Sequence, residues 1–178
     1  MRDKKIRYFL SLGSNVGDRR DYLARALAAL KKGGVKILRS SSLYLTQPVG
    51  YAAQRWFYNQ VIEVSTALEP PDLLALIKNV EKELGRRPAR KNRPRTIDID
   101  ILTAEDRTVA TGSLVVPHPR MTERNFVLVP LLEIAPAAVH PAFKKKISDL
   151  YKNSKDSSQV IRMPKKAGRA SSKEPGQP

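Results

Sequence analysis

The segment of residues 95–102, which reads RTIDIDIL, constrains the fold more than any other part of this chain. Side chains alternate between the two faces of a β-strand, so Thr96, Asp98 and Asp100 share one face and the isoleucines share the other. The segment predicts a strand with buried isoleucines and two carboxylates roughly 6–7 Å apart on its opposite face. Either the aspartates face water on an ordinary amphipathic strand, or they bind divalent cations, which prefer oxygen ligands.

A basic stretch directly precedes this strand. Residues 86–95 contain six arginines and lysines and no acidic residue, and Pro88 and Pro94 disfavour a helix. We therefore expect a loop. Guanidinium groups bind phosphate oxygens in pairs, so a basic loop beside two metal-binding carboxylates indicates a polyphosphate site. A basic loop alone is usually a solvated surface.

The net charge of the chain is high but unevenly distributed. The formal charge is +16 over 178 residues, a length that suits one domain. Most of the charge lies in the loop 86–95 and in residues 144–178, which carry ten basic and three acidic residues. The chain has no cysteine and no apolar run near 20 residues. We therefore expect no disulfide, no membrane span and a cytoplasmic location.

The remaining hydrophobic pattern predicts short strands and two helices, bounded by capping residues, glycines and prolines. The first half of the chain predicts strand 6–12, a helix from Asp18 to Gly33, and strands 35–38 and 43–46 with a turn at residues 40–42 between them. Strand 56–64 and a helix from Pro70 to Gly85 follow. After the acidic strand we predict a polar turn at 105–112 and a last strand or short helix at 126–134.

This order predicts an α+β fold, a ferredoxin-like two-layer sandwich in which helices pack on one face of a mostly antiparallel sheet. We place the folded domain at residues 1–143. Residues 144–178 are rich in lysine, serine and glycine and poor in apolar residues, so we expect them to form a basic, disordered tail.

Residues 13–18, GSNVGD, place glycines before a helix, where backbone N–H groups can bind an anion. The segment lacks the Lys-Ser/Thr ending of a P-loop and the third glycine of a dinucleotide-binding loop. We therefore favour a tight structural turn here.

Several short motifs between residues 8 and 141 have an order and spacing that are highly specific together, although each is weak alone. They are Leu12-Gly13-Ser14-Asn15 with Gly17-Asp18-Arg19, Ser42-Leu43-Tyr44 with Thr46 and Pro48, Gln54 with Phe57 and Asn59, Glu81 with Gly85-Arg86, the segment 94–102, Pro117-His118-Pro119-Arg120-Met121, Glu123-Arg124, and Phe126-Val127-Leu128 with Pro130-Leu131. In this combination the chain resembles the 6-hydroxymethyl-7,8-dihydropterin pyrophosphokinase family of folate biosynthesis.

The resemblance implies a transferase that moves pyrophosphate from ATP to the hydroxymethyl group of the dihydropterin and releases AMP, with residues 1–143 as its catalytic domain. It implies two magnesium ions on Asp98 and Asp100, and catalytic roles for these aspartates and for the loop arginines Arg86 and Arg95. By the same resemblance, ATP contacts come from Glu81, Arg86, Arg95, Ile101 and His118, and substrate contacts from Thr46, Val49, Phe57, Asn59, Arg124 and Phe126. The two phenylalanines would stack on the pterin ring, and Asn59 would form hydrogen bonds with its polar edge.

The chain departs from the family in two places. Asn92-Arg93 stand where well-known members often carry a tryptophan followed by a small residue. Residues 113–115 offer no arginine to match a phosphate contact of some members. The first departure concerns closure of the basic loop, and it leaves open a protein that binds ATP or pterin without transfer.

Four of the candidate site residues also suit purely structural roles. Phe57 and Phe126 read first as core residues, His118 as a surface histidine, and Glu81 as an ion-pair partner. A ferredoxin-like nucleic-acid-binding module suits the net charge, but the chain lacks a ribonucleoprotein motif and RNA has no need of paired aspartates. We expect a monomer with ATP and the pterin as partners, no specific nucleic-acid partner, and weak polyanion binding by the tail.

Overall fold

The computed structural model describes residues 5–50, 53–87, 93–105 and 107–164. Within these ranges the strands are β1 (Ile6–Ser14), β2 (Lys36–Ser40), β3 (Tyr44–Thr46), β4 (Phe57–Thr66), β5 (Asp98–Ala104), β6 (Val109–Ala110), β7 (Val115–Val116) and β8 (Val160–Arg162). The helices are α1 (Arg19–Lys32), α2 (Pro70–Glu83), α3 (Asn125–Ile134) and α4 (Ile147–Lys152), with a 3₁₀ turn at Met121–Glu123.

Six strands of the described ranges form one antiparallel sheet in the order β5-β1-β4-β3-β8, with β2 also paired to β4. The central strand β1 aligns Gly13 with both Asn59 of β4 and Asp98 of β5, and it aligns Ser11 with Asp100. The mixed helix and antiparallel sheet confirms the predicted α+β class. β6 and β7 pair as a separate hairpin, so the predicted polar turn at 105–112 contains a short strand.

The two long helices begin and end where the sequence predicts. Asp18 caps α1, because its side chain accepts a hydrogen bond of 3.0 Å from the backbone amide of Asp21. Pro70 opens α2, where its missing N–H costs no helical hydrogen bond. Gly85 follows α2 with a φ of 80°, a left-handed conformation that glycine adopts without strain.

Helices α1 and α2 pack on one face of the sheet and cover the isoleucine face of β5. Ile97, Ile99 and Ile101 are 0%, 1% and 4% exposed, so the predicted alternation of this segment is confirmed. Each such side chain contributes roughly 1.5–3 kcal/mol when fully buried. Their burial fixes which face of β5 carries Asp98 and Asp100.

Helix α3 covers the opposite face of the sheet and is packed in turn against α4. A second apolar cluster forms there around Val61 of β4, Leu102 of β5 and Leu128 of α3. The sequence predicted either a strand or a short helix for residues 126–134, and the structure shows a helix. Helices on both faces add a third layer to the predicted two-layer sandwich.

The serines at 40–42 do not form the turn predicted between two strands. β2 and β3 both run antiparallel to β4, one after the other along its length. Ser41 bridges the gap, because its amide donates to the carbonyl of Val61 at 2.9 Å and its Oγ accepts from the Val61 amide at 3.0 Å. A hydroxyl can replace a backbone partner in this way, so the chain continues along the same neighbour.

The prediction of a disordered tail from residue 144 is wrong for residues 144–164. This stretch contains α4 and β8, and β8 pairs with β3. Ile147 and Met163 are only 1% and 6% exposed, so a few well-spaced apolar residues suffice to anchor it. Residues 165–178 lie outside the described residues. No helix of the described ranges is long and apolar enough to cross a bilayer.

Candidate active site

One cleft opens where β1, β3, β4 and β5 face the start of α3. Nine of the predicted site residues line it: Thr46, Val49, Phe57, Asn59, Arg95, Asp98, Asp100, Arg124 and Phe126. Five further described residues, not predicted as site residues, also line it: Ser11, Gly13, Gln47, Gln54 and Arg120.

Asp98 and Asp100 lie on the floor of the cleft on β5. Their neighbours on β1 are Gly13 and Ser11, which have no side chain and a very short one. Both aspartates are half-buried, whereas Ile99 between them is buried. The short neighbours leave the carboxylates accessible from the cleft.

Asp98 is held between the two predicted loop arginines. Nη1 of Arg86 lies 2.6 Å from Oδ1 of Asp98, and Nη1 of Arg95 lies 2.6 Å from Oδ2. Each carboxylate oxygen therefore has its own guanidinium partner, a charge-assisted pairing that is stronger than a neutral hydrogen bond.

Glu81, in α2, stabilises the position of Arg86 beside Asp98. It is 2% exposed and forms an ion pair with Arg86, a second one of 2.9 Å with Lys78, and accepts a hydrogen bond of 2.8 Å from the Ile99 amide. These contacts join α2, β5 and the basic loop. Glu81 is not among the described residues that line the cleft, and its environment is that of a structural ion-pair partner.

Asn15 fixes the other end of the basic loop. It is 2% exposed, and its Oδ1 accepts from the Arg95 amide at 2.9 Å while its backbone amide donates to the Arg95 carbonyl at 3.2 Å. Nδ2 of Asn15 donates to Oε1 of Gln54 at 2.9 Å. Residues 13–18 thus form a turn, in which Gly17 has a φ of 61°, and the turn anchors Arg95 beside the cleft. Residues 88–92, including Asn92, lie outside the described residues.

The electrostatics of the cleft favour a bound cation or proton near Asp100. Burial, and after it the negative charge of Asp98, raise the pKa of Asp100 to about 6. Arg124 opposes this effect. Burial and the neighbouring Arg120 in turn lower the pKa of Arg124, whose Nε is buried and forms no hydrogen bond with the described residues.

His118 is half-buried behind Arg120 and Arg124 and does not itself line the cleft. Burial and the charges of these two arginines lower its pKa to about 4, so the ring is neutral at pH 7. Its Nδ1 accepts a hydrogen bond of 3.1 Å from the Arg120 amide, which assigns the ring proton to Nε2. His118 can therefore donate one hydrogen bond from Nε2.

The other half of the cleft combines aromatic rings with a fixed amide. Phe57 and Phe126 are half-buried and line the cleft, although Phe126 also packs against the second apolar cluster. Asn59 is 5% exposed, and its Nδ2 donates to Oγ1 of Thr46 at 2.6 Å. This arrangement can stack a flat ring and hydrogen-bond its edge.

Two groups of residues differ from the sequence-based expectation. Ile101 is buried in the core, so only its backbone can face a ligand. Ser11 and Gly13, which were not predicted as site residues, share one signal: they alternate on β1 as Asp100 and Asp98 do on β5. That signal is useful only when the pairing of β1 with β5 is known.

The donor set of the cleft fits a hard divalent cation. Among the described residues there is no group of three or more histidine, cysteine or acidic side chains that could hold a metal, so the protein would contribute only Asp98 and Asp100. Magnesium commonly takes one or two carboxylates and completes its shell with phosphate oxygens and water. The repulsion between the two carboxylates, which helps to raise the pKa of Asp100, is the repulsion that a cation would relieve.

Comparison with known proteins identifies the family of this chain. Residues 9–136 match the family model of 7,8-dihydro-6-hydroxymethylpterin-pyrophosphokinase (HPPK). The 2-amino-4-hydroxy-6-hydroxymethyldihydropteridine pyrophosphokinase of Bacillus subtilis is 47% identical over 127 residues, which cover 71% of this chain and 76% of the relative. The enzyme of that name from Aquifex aeolicus is 43% identical over 141 residues, which cover 79% and 88%.

Solved structures show the same fold. The crystal structure of a Plasmodium falciparum HPPK-DHPS triple mutant with pteroate matches with a TM-score of 0.65 at 18% identity. The match covers 85% of this chain but only 43% of the longer Plasmodium chain, so this chain spans less than half of that protein. At this identity the likeness concerns the fold. On the family match and the two bacterial relatives, this chain belongs to the HPPK family.

Proposed function

We propose that this protein transfers the terminal diphosphate of ATP to the hydroxymethyl group of 6-hydroxymethyl-7,8-dihydropterin, with release of AMP, in folate biosynthesis. The observation that carries the proposal is that one cleft joins the paired aspartates and Arg95 to the ring-binding set of Phe57, Asn59 and Phe126. Family membership supports the same reaction. The chemistry needs both halves, because the hydroxyl acceptor and the polyphosphate must meet.

In this reaction the hydroxymethyl oxygen attacks the β-phosphorus of ATP. The bond from that phosphorus to the oxygen bridging the α- and β-phosphates breaks, the hydroxyl loses its proton, and AMP leaves with the bridging oxygen. Positioning and charge stabilisation supply most of the catalysis in transfers of this kind. The protein must therefore hold the two substrates in line and balance the negative charge of the phosphates.

Asp98 and Asp100 are the proposed ligands of two magnesium ions. Magnesium would neutralise phosphate charge and orient phosphate oxygens beside these carboxylates. The accessible, oxygen-only character of the pair supports this assignment. The number of ions is the one that the family resemblance implies, and two separate carboxylates on one strand face are compatible with it.

Arg86 and Arg95 are the proposed phosphate-binding arginines. In the structure both neutralise Asp98. A cation on Asp98 would remove the electrostatic reason for these ion pairs, so the guanidinium groups become available to phosphate oxygens on the same side of the cleft. Arg86 also forms an ion pair with Glu81. The proposed contribution of Glu81 to ATP binding, like that of Ile101, is to shape the wall behind the nucleotide.

His118 and Arg124 are proposed to act between the two substrates. The Nε2 proton of neutral His118 suits an ATP oxygen, and the half-buried Arg124 lines the cleft and places its positive charge near Asp100. Arg124 also lies over the Phe126 ring, 5.5 Å from its centroid. Its proposed role is to contact the pterin substrate near the point of transfer.

The pterin is proposed to lie between Phe57 and Phe126, with Asn59 and Thr46 at its polar edge and Val49 beside it. The orientation of the Asn59 amide supports this role. Because Nδ2 is occupied by Thr46, the carbonyl oxygen Oδ1 is the atom left to accept from an amino or ring N–H group. A pterin edge carries such donors.

We further propose a monomeric, cytoplasmic enzyme without a specific nucleic-acid partner, whose basic residues 165–178 contribute at most weak polyanion binding. The composition supports the weak polyanion binding, since residues 165–178 carry four basic residues and one acidic residue.

The test is a product assay with ATP, magnesium and 6-hydroxymethyl-7,8-dihydropterin. AMP formed in equal amount with a pyrophosphorylated pterin, and absent without either substrate, is the expected result. An Asp98→Asn variant, checked for its fold, is the control for a contaminating hydrolase. If the folded protein binds MgATP and the pterin but forms no AMP, it is a binding protein without transferase activity. The departure from the family at Asn92-Arg93 would then be the first feature to test by substitution.

A further inference from the structure

Helix α3, which carries Phe126 in its first turn, has no cap of its own. The residue before it, Arg124, makes no side-chain capping hydrogen bond. The backbone N–H groups that open a helix need a partner from elsewhere, because nothing within the helix can accept from them. In this chain the partner comes from a segment that lies well beyond the end of the helix in sequence.

Asp156 supplies that partner. Its Oδ2 accepts a hydrogen bond of 2.7 Å from the Asn125 amide, and its carbonyl accepts one of 2.6 Å from Nδ2 of Asn125. Carboxylates are the favoured caps and also interact favourably with the positive end of the helix dipole. Asp156 therefore caps α3 across a separation of 31 residues in sequence.

The Asp156 side chain is itself well held. Its Oδ1 accepts from the Ser158 amide at 2.9 Å, and its own amide donates to Oγ of Ser154 at 3.2 Å. Burial alone would raise its pKa, but the hydrogen bonds from Ser158 and Asn125 outweigh burial and lower it. The carboxylate is thus charged and oriented at neutral pH.

The same segment continues onto the opposite wall of the cleft. The Gln47 amide donates to the Gln159 carbonyl at 3.0 Å, and the Gln159 amide donates back to Oε1 of Gln47 at 3.3 Å. Val160 of β8 is aligned with Thr46 of β3. Gln47 and Thr46 both line the cleft, and Thr46 holds the Asn59 amide.

We infer that residues 154–163, here called the C-terminal clasp, join the two walls of the ring-binding half of the cleft, and that Asp156 is a positioning residue for pterin binding. One end of the clasp fixes the start of α3, and hence Phe126, while the other fixes β3, and hence Thr46 and Asn59. The clasp lies beyond residue 136, where the family match ends. The inference rests on the proposed function, since it assigns a role in binding that pterin.

The metal-binding half of the cleft has no contact of this kind with the clasp among the described residues. The ion pairs of Asp98 involve the basic loop, and Glu81 is in α2 on the other face of the sheet. Loss of the cap should therefore loosen the ring-binding half and leave the nucleotide half in place. This separation makes the inference testable by comparing the two substrates.

The test uses Asp156→Ala in the full chain, with Asp156→Asn as the conservative variant. We expect Asp156→Ala to raise the KM for 6-hydroxymethyl-7,8-dihydropterin about five- to tenfold, the effect of losing one helix cap if it falls wholly on binding. The KM for MgATP should stay within about twofold of wild type, since the cap is remote from that half. Asp156→Asn should recover part of the pterin affinity, because its one oxygen can still cap the Asn125 amide while the Ser158 amide loses its partner.

Asp149→Ala is the matched control. Asp149 is exposed in the first turn of α4, outside both the clasp and the cleft. The same chemical change there should leave both KM values within about twofold of wild type. Equal increases in both KM values, or no change in Asp156→Ala, would overturn the inference.

Two further measurements keep the outcomes distinct. Equilibrium titration of each variant with the pterin in the presence of a non-hydrolysable ATP analogue reports binding without turnover. If the wild-type protein binds the pterin but forms no AMP, the proposed function is contradicted and the inference about the clasp is not. If the wild-type protein is active and Asp156→Ala binds the pterin with unchanged affinity, the inference about the clasp is contradicted and the proposed function is not. If Asp156→Ala fails to fold, Asn125→Ala removes the second bond of the same cap, and an unchanged pterin affinity there would count against the inference.

Discussion

The side-chain oxygen of Asn59 occupies space that exists only because residue 13 is glycine. A Cβ atom on Gly13 would stand 2.5 Å from Oδ1 of Asn59, well inside van der Waals contact. The two residues are aligned across β1 and β4, and Nδ2 of Asn59 is engaged by Thr46 at 2.6 Å. Gly13 therefore sets the position of the amide that we propose reads the pterin edge.

Replacement of Gly13 with alanine should displace this amide. We expect a roughly ten- to hundredfold rise in the KM for the pterin, because small misplacements of positioning groups carry costs of this size. The KM for MgATP should rise less, because the atoms nearest to the added Cβ belong to Asn59 and Phe57 and not to Asp98. Steady-state kinetics with each substrate varied in turn measure both constants.

Gly112→Ala is the control for this substitution. A Cβ at Gly112 meets no atom within 4 Å, so the same chemical change there should leave both KM values unaltered. Wild-type pterin affinity in Gly13→Ala would show that Asn59 can move without cost.

Replacement of Asp98 or Asp100 with asparagine should lower kcat by roughly a hundredfold or more, the usual effect of losing a group that stabilises transition-state charge. Both residues are half-buried at the cleft, so the melting temperature should change by only a few degrees. AMP formation and thermal melts measure the two effects. Removal of magnesium by a chelator should abolish wild-type turnover, and added magnesium should restore it.

Asp149→Asn, an exposed position on α4, is the control for loss of one negative charge. Undiminished magnesium-dependent turnover in both cleft variants would remove the metal-pair hypothesis.

Replacement of Phe126 with alanine should weaken binding of the pterin more than binding of MgATP. Phe126 is half-buried and lines the cleft, so part of the lost contact is with the ligand. Loss of a stacking partner should cost about 1–3 kcal/mol of pterin binding, the range for one base–aromatic stack. Isothermal titration with each ligand measures the difference.

Leu128→Ala tests whether Phe126 is only a core residue. Leu128 is 0% exposed on the same helix, and its truncation should cost about 2–5 kcal/mol of folding stability without selectivity between the ligands. If the two variants change the affinities for the pterin and for MgATP in the same way, Phe126 is a core residue and does not contact the pterin.

Acid should weaken the contact between α3 and the edge of the sheet. Burial raises the pKa of Glu133, but hydrogen bonds from Tyr44 and Ser42 outweigh burial and hold the pKa below its usual range. A lowered folded-state pKa stabilises the fold above the unfolded pKa of about 4.3, and this contribution disappears as pH falls through the folded value. The melting temperature of wild type should therefore fall more steeply below about pH 4.5 than that of Glu133→Gln. Parallel curves for the two proteins would contradict this expectation.

The acidic strand was predictable because its information is local. Alternation of isoleucine and aspartate dictates which side chains share a face, whatever the neighbours of the strand are. The burial of Ile97, Ile99 and Ile101 follows that pattern. Asp18 and Pro70 marked the starts of the two long helices for the same reason, since caps act within one turn.

The pairing of Asp98 with Arg86 and Arg95 was not predictable in the same way. The sequence places both arginines in a basic loop but does not say which carboxylate they reach. Folding brings Glu81 beneath Arg86 and Asn15 against Arg95, and these two anchors direct both guanidinium groups to one aspartate. Such contacts depend on how α2 and β1 pack against β5.

The predicted disordered tail failed for a related physical reason. Composition measures how much apolar surface a segment can bury by itself, and residues 144–164 have little. An edge strand needs only a partner with free backbone groups, and β3 supplies one to β8. Sequence by itself determined the class of the fold, the face of β5 and the family. Only the tertiary structure decided which arginines meet Asp98, that Gly13 makes room for Asn59, and that Asp156 caps α3, because each depends on chain segments that meet only on folding.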